Sequence, residues 1–208
     1  GPRHGKAPLH AGLRIALRWL SVDDEEFPSS VLFCCDHNAV RSPMAEGLMK
    51  KFYGHRAYVQ SAGVKNDLEI DGFAISVCAE IGVELSTHRA RSFDDMEQWG
   101  DDLSSYDLIV ALSPASQRKA LDLTRYAHLE VEYWPVLDPT GLGESREAKL
   151  DAYRQTRDQI IARMDARFGR VGGAGQGSHT GQGAGKGTGQ GTGAGQGAAG
   201  TQGKDGTD

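Results

Sequence analysis

Between residues 31 and 168 the sequence alternates short apolar runs with longer segments of helical periodicity. The apolar runs are VLF at 31–33, AYVQSAG at 57–63, YDLIVALS at 106–113 and LEVEYWPV at 129–136. The segments between them space apolar residues three or four positions apart, as amphipathic helices do. We predict one helix after Asp71, a plausible N-cap, another that Pro114 opens, and a long C-terminal helix over 145–168. Strands and helices that alternate in this way build a parallel sheet with helices on both faces. We therefore predict an α/β fold with a four-stranded parallel sheet flanked by helices on both faces.

The first predicted strand leads directly into a polar loop and a helix, within VLFCCDHNAVRSPMAEG at 31–47. Pro43 suits the first turn of a helix, which we expect over about 42–53. Unpaired backbone amides and the positive end of the helix dipole meet where such a helix begins. The stretch therefore predicts a loop after the first strand that binds a phosphate or a similar oxyanion.

Cys35 and Arg41 bracket this loop in a C-x5-R spacing. Amides that point into such a loop can surround a tetrahedral oxyanion, while a guanidinium binds two of its oxygens. The same donors stabilise a thiolate, so we expect Cys35 to act as a nucleophile and Ser42 to donate its hydroxyl to the sulfur. Ser42 is also expected to contact the substrate, as are the five residues between Cys35 and Arg41: Asp36, His37, Asn38, Ala39 and Val40.

The other two cysteines are expected to be structural. Cys34 is predicted to be the last strand residue, with its side chain on the opposite face of the sheet from Cys35. Cys78 falls within a helical pattern and is predicted to be a core residue. A small, odd number of cysteines is typical of a reducing compartment, so we expect the protein to be cytoplasmic.

Asp138 is the candidate general acid. It follows the last predicted strand, at the sheet edge where the loop should lie, and Pro139 stiffens the turn after it. An Asp there could protonate a leaving oxygen and then activate water. An Asp-Pro pair can also simply start a turn; beside a Cys/Arg loop we favour the acid.

These motifs together resemble the low-molecular-weight protein-tyrosine-phosphatase family, which also contains thiol-dependent arsenate reductases and protein-arginine phosphatases. The resemblance covers about residues 31–168 and rests on the loop, SAG at 61–63, IGVELSTHRARSF at 81–93, YDLIVALS and the Asp-Pro pair. It implies Cys35 as nucleophile, Arg41 as phosphate-binding residue and Asp138 as general acid. It also implies that Asn38 shapes the loop with help from three supporting residues: Ser42, Ser61 and His88.

The sequence departs from the family in the loop and around the substrate slot. The family commonly has Gly at the position of His37 and an apolar residue at that of Asp36, whose charge is expected to weaken binding of anionic substrates. Thr140 and Gly141 replace the aromatic residues that usually line a phosphotyrosine slot, which removes stacking with a tyrosine ring. The small Ala39 could leave room for another phosphoryl group.

The expected function is hydrolysis of phosphomonoesters through a cysteinyl-phosphate intermediate, with protein phosphotyrosine as the first candidate substrate. The partner would be a phosphorylated protein or a small phosphomonoester, and no cofactor is expected. An arsenate reductase is the enzymatic alternative; it would need an external thiol, because residues 112–137 contain no cysteine. A phosphate-binding regulatory domain with weak catalysis is the other alternative, to which Asp36 and His37 lend credibility.

The flanking segments are predicted to lie outside the phosphatase domain of 31–168. Residues 1–30 form an extension with a short amphipathic helix at 9–20, and residues 169–208 form a Gly-rich tail that we expect to be disordered. We expect no transmembrane segment. The formal charge of -5 and the lack of a basic, aromatic-rich patch argue against nucleic-acid binding.

Overall fold

A computed structural model describes residues 27–125 and 127–170 of the chain. The predicted helix at 9–20 and nearly all of the Gly-rich tail lie outside the described residues. Within them, no helix combines the length and the apolar character needed to cross a bilayer.

The described residues form a parallel sheet and its covering helices. The strands are β1 (Ser30–Cys35), β2 (Tyr58–Gly63), β3 (Leu108–Ala111) and β4 (Glu130–Tyr133). The α-helices are α1 (Arg41–Tyr53), α2 (Gly72–Ala79), α3 (Phe93–Gln98), α4 (Pro114–Leu123) and α5 (Arg146–Phe168), and a 3-10 turn spans Leu103–Ser105. All strand pairs are parallel, in the order β2-β1-β3-β4. The predicted four-stranded parallel sheet is confirmed.

Side chains alternate between two cores, one on each face of the sheet. Val31, Phe33 and Cys35 of β1 share a core with residues of α1, α2 and α5. Leu32 and Cys34 share the other core with residues of α3 and α4. Helices therefore cover both faces, as predicted, and the two cysteines lie on opposite faces. The strand extends one residue further than predicted, because Cys35 still pairs with β2.

Two helices differ from the pattern predicted for them. Asp71 is the N-cap of α2, as expected, and accepts hydrogen bonds from the next helical amides. The helix ends at Ala79 although apolar spacing continues to Ile81, because Gly82 turns the chain with a φ of +74°. Helix α3 was not predicted from apolar spacing; its start is fixed by a capping box between Ser92 and Asp95.

Candidate active site

The loop between β1 and α1 lies at the carboxyl end of the sheet and is held by backbone hydrogen bonds. The amides of Val64 and Lys65 donate to the carbonyls of Cys35 and Asp36, at 3.0 and 2.9 Å. The amide of Asp71 donates to the carbonyl of Ala39 at 3.0 Å. The segments that follow β2 therefore fix both ends of the loop.

Gly63, the last residue of β2, allows this close approach. A Cβ atom there would lie 2.6 Å from the carbonyl oxygen of Lys65 and 2.8 Å from the amide nitrogen of Asn38. These are backbone atoms, which cannot rotate away as a side chain can. The SAG motif therefore ends in Gly because the loop passes directly against it.

The start of α1 leaves its first amides without a side-chain partner. Val40 occupies the N-cap position and makes no capping hydrogen bond. The unpaired amides and the helix dipole therefore create a positive potential at the loop. This is the environment that an oxyanion or a thiolate requires.

Cys35 sits in this loop with 3% of its surface exposed, and its Sγ lies 2.9 Å from the Ser42 Oγ. The side-chain amide of Asn38 donates to the same Oγ at 2.8 Å. Because the Ser42 oxygen already accepts that bond, its own hydrogen is free to point at the sulfur. The Ala62 carbonyl is a more distant acceptor at 3.4 Å.

Asn38 organises the loop from a fully buried position. Its φ of +52° lies in the left-handed region, which Asn tolerates better than most residues. Its amide nitrogen also donates to the Ser61 Oγ at 2.9 Å, and its Oδ1 contacts the His88 Nε2 at 3.0 Å. The predicted supporting residues Ser42, Ser61 and His88 therefore all contact Asn38.

A second layer behind Asn38 was not predicted from the sequence. The backbone amide of Arg91 donates to the Asn38 Oδ1 at 3.0 Å, and its guanidinium pairs with buried Glu46 at 3.0 Å. Glu46 also lies 3.4 Å from the His88 Nδ1. Burial raises the pKa of Glu46, but the His88 hydrogen bond and the charges of Lys50 and Arg91 outweigh it, so the pKa lies below its usual value.

Arg41 projects its guanidinium from the first turn of α1 toward the same loop. Its Nη1 donates to the Leu112 carbonyl after β3 at 3.1 Å, which anchors one side of the group. Its Nη2 lies 3.2 Å from the Asp36 Oδ2 and 3.5 Å from the Asp138 Oδ2. With only 8% of its side chain exposed, Arg41 is already oriented to bind an oxyanion.

Asp138 reaches the site from the turn beyond β4. Its Oδ1 accepts a hydrogen bond from the Thr140 amide at 3.1 Å, and about half of its side chain is exposed. The carboxyl therefore has a fixed orientation and remains accessible to substrate and water. This is the arrangement that a general acid needs.

These groups open into a cavity of about 240 Å³. Six of the seven residues from Cys35 to Arg41 line it, together with Leu68, Glu69, Asp71, Asp138 and Thr140. Asn38 and Ser42, also predicted to contact the substrate, are not among its lining residues. None of these described lining residues is Phe, Tyr or Trp, which agrees with the expected lack of aromatic walls. His37 lies at the cavity with its Nδ1 2.6 Å from Asp67.

The remaining cysteines are interior thiols. Burial strongly raises the pKa of Cys34, whose Sγ contacts the Val110 carbonyl at 3.6 Å. Burial also raises the pKa of Cys78 to about 12. Both side chains therefore stay protonated at neutral pH. Within 27–125 and 127–170, no group of three or more His, Cys, Asp or Glu residues could hold a metal ion.

Comparison with known proteins places this loop in a known context. Residues 30–172 match the family model described as low molecular weight phosphotyrosine protein phosphatase. An arsenate reductase from Bacillus subtilis is 29% identical over 134 residues, which cover 64% of this chain and 91% of the relative.

Two solved structures resemble this fold and share more than a quarter of their aligned residues with the chain. A low molecular weight protein tyrosine phosphatase from T. tengcongensis is 28% identical with a TM-score of 0.52, over 65% of this chain and 95% of that chain. An arsenate reductase from Archaeoglobus fulgidus is 26% identical with a TM-score of 0.50, over 67% of this chain and 99% of that chain.

 In both cases, the match therefore spans nearly the whole of the other protein. The residues that the family model matches contain the α/β domain with the Cys35 loop.

Proposed function

Because the chain belongs to the low molecular weight phosphotyrosine protein phosphatase family, we propose that it hydrolyses phosphate monoesters through a cysteinyl-phosphate intermediate. The observation that supports this proposal is the meeting of three groups at one cavity: the Cys35 thiol, the Arg41 guanidinium and the Asp138 carboxyl. Protein phosphotyrosine is the first substrate to test, because the family description names it.

In the first step the Cys35 thiolate attacks phosphorus while the bond to the leaving oxygen breaks. The loop amides and Arg41 neutralise charge on the oxygens of the transferring group. Asp138, protonated at the start, gives its proton to the leaving oxygen, so that the alcohol departs neutral. The products of this step are the free alcohol and phosphorylated Cys35.

In the second step water attacks the phosphorus of the intermediate. Asp138, now ionised, accepts a proton from the water, and the bond between sulfur and phosphorus breaks. The Ser42 hydroxyl, 2.9 Å from the sulfur, stabilises the departing thiolate. Inorganic phosphate leaves, and Asp138 is again protonated for the next cycle.

Steady-state hydrolysis of two aryl phosphates tests this proposal. Cys35→Ser should lower kcat by about 10⁴-fold or more on both esters, because the nucleophile is lost. Asp138→Asn should lower kcat/KM for phenyl phosphate by about 10²-fold, because kcat/KM reports the step in which the leaving group departs. It should lower kcat/KM for p-nitrophenyl phosphate much less, because nitrophenolate departs without a proton. An equal loss of kcat/KM for the two esters would contradict the role of Asp138 as the acid, and full activity of Cys35→Ser would refute the mechanism.

Arsenate reduction is a second candidate, favoured by the name of the Bacillus subtilis relative. The Cys35 thiolate would attack arsenate with loss of water or hydroxide, and an external thiol would attack the sulfur of that adduct. Arsenite would leave with the electron pair, and the resulting mixed disulfide would be reduced by a second thiol. Two thiols are thus oxidised to one disulfide for each arsenate reduced.

Arsenite formation in the presence of glutathione distinguishes this candidate. Arsenate-dependent disulfide formation that disappears in Cys35→Ser would support a reductase. A Cys78→Ser variant is the control, because that buried thiol lies in the core behind the site and has no part in the scheme. No arsenite in the wild-type reaction would reject the candidate.

A further inference from the structure

The cavity beside Cys35 contains more negative than positive side chains. Four carboxylates line it: Asp36, Glu69, Asp71 and Asp138. The basic side chains in the same lining are those of Arg41 and His37. Arg41 and the loop amides serve the phosphoryl group. The surplus of carboxylates therefore faces whatever group the substrate attaches to that phosphoryl.

Two of the four carboxylates already have structural or chemical tasks. Asp71 caps α2 through its Oδ1, and its Oδ2 accepts a hydrogen bond from the Tyr153 hydroxyl at 2.9 Å. Burial, followed by this contact with Asp71, raises the pKa of Tyr153 to about 12, so the hydroxyl remains a donor. Asp138 is the proposed general acid. These roles leave the negative charges of Asp36 and Glu69 without an explanation.

The charges of Asp36 and Glu69 are not fully balanced by the protein. The Asp36 Oδ2 contacts Arg41, and its Oδ1 is buried and has no hydrogen-bond partner. Because Arg41 also contacts Asp138 and serves the phosphoryl group, it balances the charge of Asp36 only in part. Glu69 lies exposed at the cavity, and within the described residues no contact occupies its carboxylate.

We propose that Asp36, supported by Glu69, makes the cavity selective for phosphate esters whose organic group carries a positive charge close to the phosphoryl group, such as an ammonium or a guanidinium. This inference rests on the proposed function, because it concerns substrates of the same site. A cation there is attracted by the charges of Asp36 and Glu69, whereas a neutral group gains nothing from them. A second negative group is repelled.

Three aryl phosphates that differ only in one para substituent test the inference. They are 4-(aminomethyl)phenyl, 4-methylphenyl and 4-(carboxymethyl)phenyl phosphate, which add a positive, a neutral and a negative group. The wild-type kcat/KM should decrease in that order. In Asp36→Asn, the ratio of the cationic to the neutral ester should fall about five- to tenfold. Effects on the nucleophile cancel in this ratio, since both esters share them.

Asp122→Asn is the matched control, because this exposed carboxylate lies on α4 and does not line the cavity. Its ratio should equal that of the wild type. An unchanged ratio in Asp36→Asn, or no preference for the cationic ester in the wild type, would overturn the inference.

A binding measurement keeps this test separate from the proposed function. Calorimetric titration of the three esters into Cys35→Ser gives their dissociation constants, with no turnover required. The affinity should decrease from the cationic to the neutral to the anionic ester. If the wild type hydrolyses none of the esters, the proposed phosphatase activity fails, and the binding ratios still decide the inference. Equal affinities for the three esters, or no binding, would overturn it.

Discussion

Replacing Gly63 by Ala should damage both the stability of the fold and the phosphate loop. The added Cβ would lie 2.6 Å from the Lys65 carbonyl oxygen and 2.8 Å from two loop backbone atoms, the Asn38 nitrogen and the His37 carbonyl carbon. Inserting a methyl group into a packed site costs about 1–3 kcal/mol. Because all three contacts are with backbone, we expect a loss near 3 kcal/mol, the top of that range.

Gly72→Ala is the matched control, since no atom lies within 4 Å of a Cβ at this position. Gly72 is the first residue of α2, and Ala in a helix is more stable than Gly by about 0.5–1 kcal/mol. The two identical substitutions should therefore change stability in opposite directions.

Urea unfolding and inhibition by inorganic phosphate measure the two effects. Gly63→Ala should unfold at a lower urea concentration than the wild type and should bind phosphate more weakly, because its loop must move. Gly72→Ala should match or exceed the wild type in stability and bind phosphate as well. A Gly63→Ala variant as stable and as tightly inhibited as Gly72→Ala would refute the argument that β2 fixes the loop.

Three further predictions concern single side chains. Asn38→Ala removes the buried centre of the loop network and should lower the free energy of unfolding by about 3 kcal/mol in urea titration; a loss below about 1 kcal/mol would contradict its central role. Iodoacetamide at neutral pH should modify Cys35 far faster than Cys34 or Cys78, which peptide mass spectrometry can show. Rapid labelling of Cys34 or Cys78 would contradict the burial of these two thiols. Glu46 has a lowered pKa in the folded state, so it contributes stability above its unfolded value of about 4.5 and loses that contribution as the pH falls through the folded value. The stability difference between the wild type and Glu46→Gln, measured by urea unfolding, should accordingly shrink below about pH 4.5; a constant difference down to lower pH would contradict the ion pairs assigned to Glu46.

Most of the sheet could be predicted because its strands are short apolar runs with polar flanks. Three of the predicted helices carry a recognisable residue in the first turn or at the N-cap: Pro43, Asp71 and Pro114. Helix α3 has only six residues, too few for a periodic signal. Its Ser92 and Asp95 capping box was the signal that could have identified it.

The linear order of the motifs predicted which residues meet at the site, since the carboxyl ends of parallel strands share one edge of a sheet. The sequence could not predict the layer formed by Glu46 and Arg91, because these residues are 45 positions apart and only tertiary packing joins them. The need for Gly63 was likewise hidden, because it depends on how closely two backbones approach. The unpaired oxygen of Asp36 also became visible only in three dimensions.

The most direct test of the central claim is to find the covalent intermediate. Asp138→Asn should form cysteinyl-phosphate rapidly from p-nitrophenyl phosphate, whose leaving group needs no proton, and should hydrolyse it slowly. Acid quenching followed by peptide mass spectrometry should then show a phosphoryl group on the peptide that contains Cys35, at its sulfur. A peptide phosphorylated at another residue, or hydrolysis with no phosphorylated peptide at any time, would contradict the account.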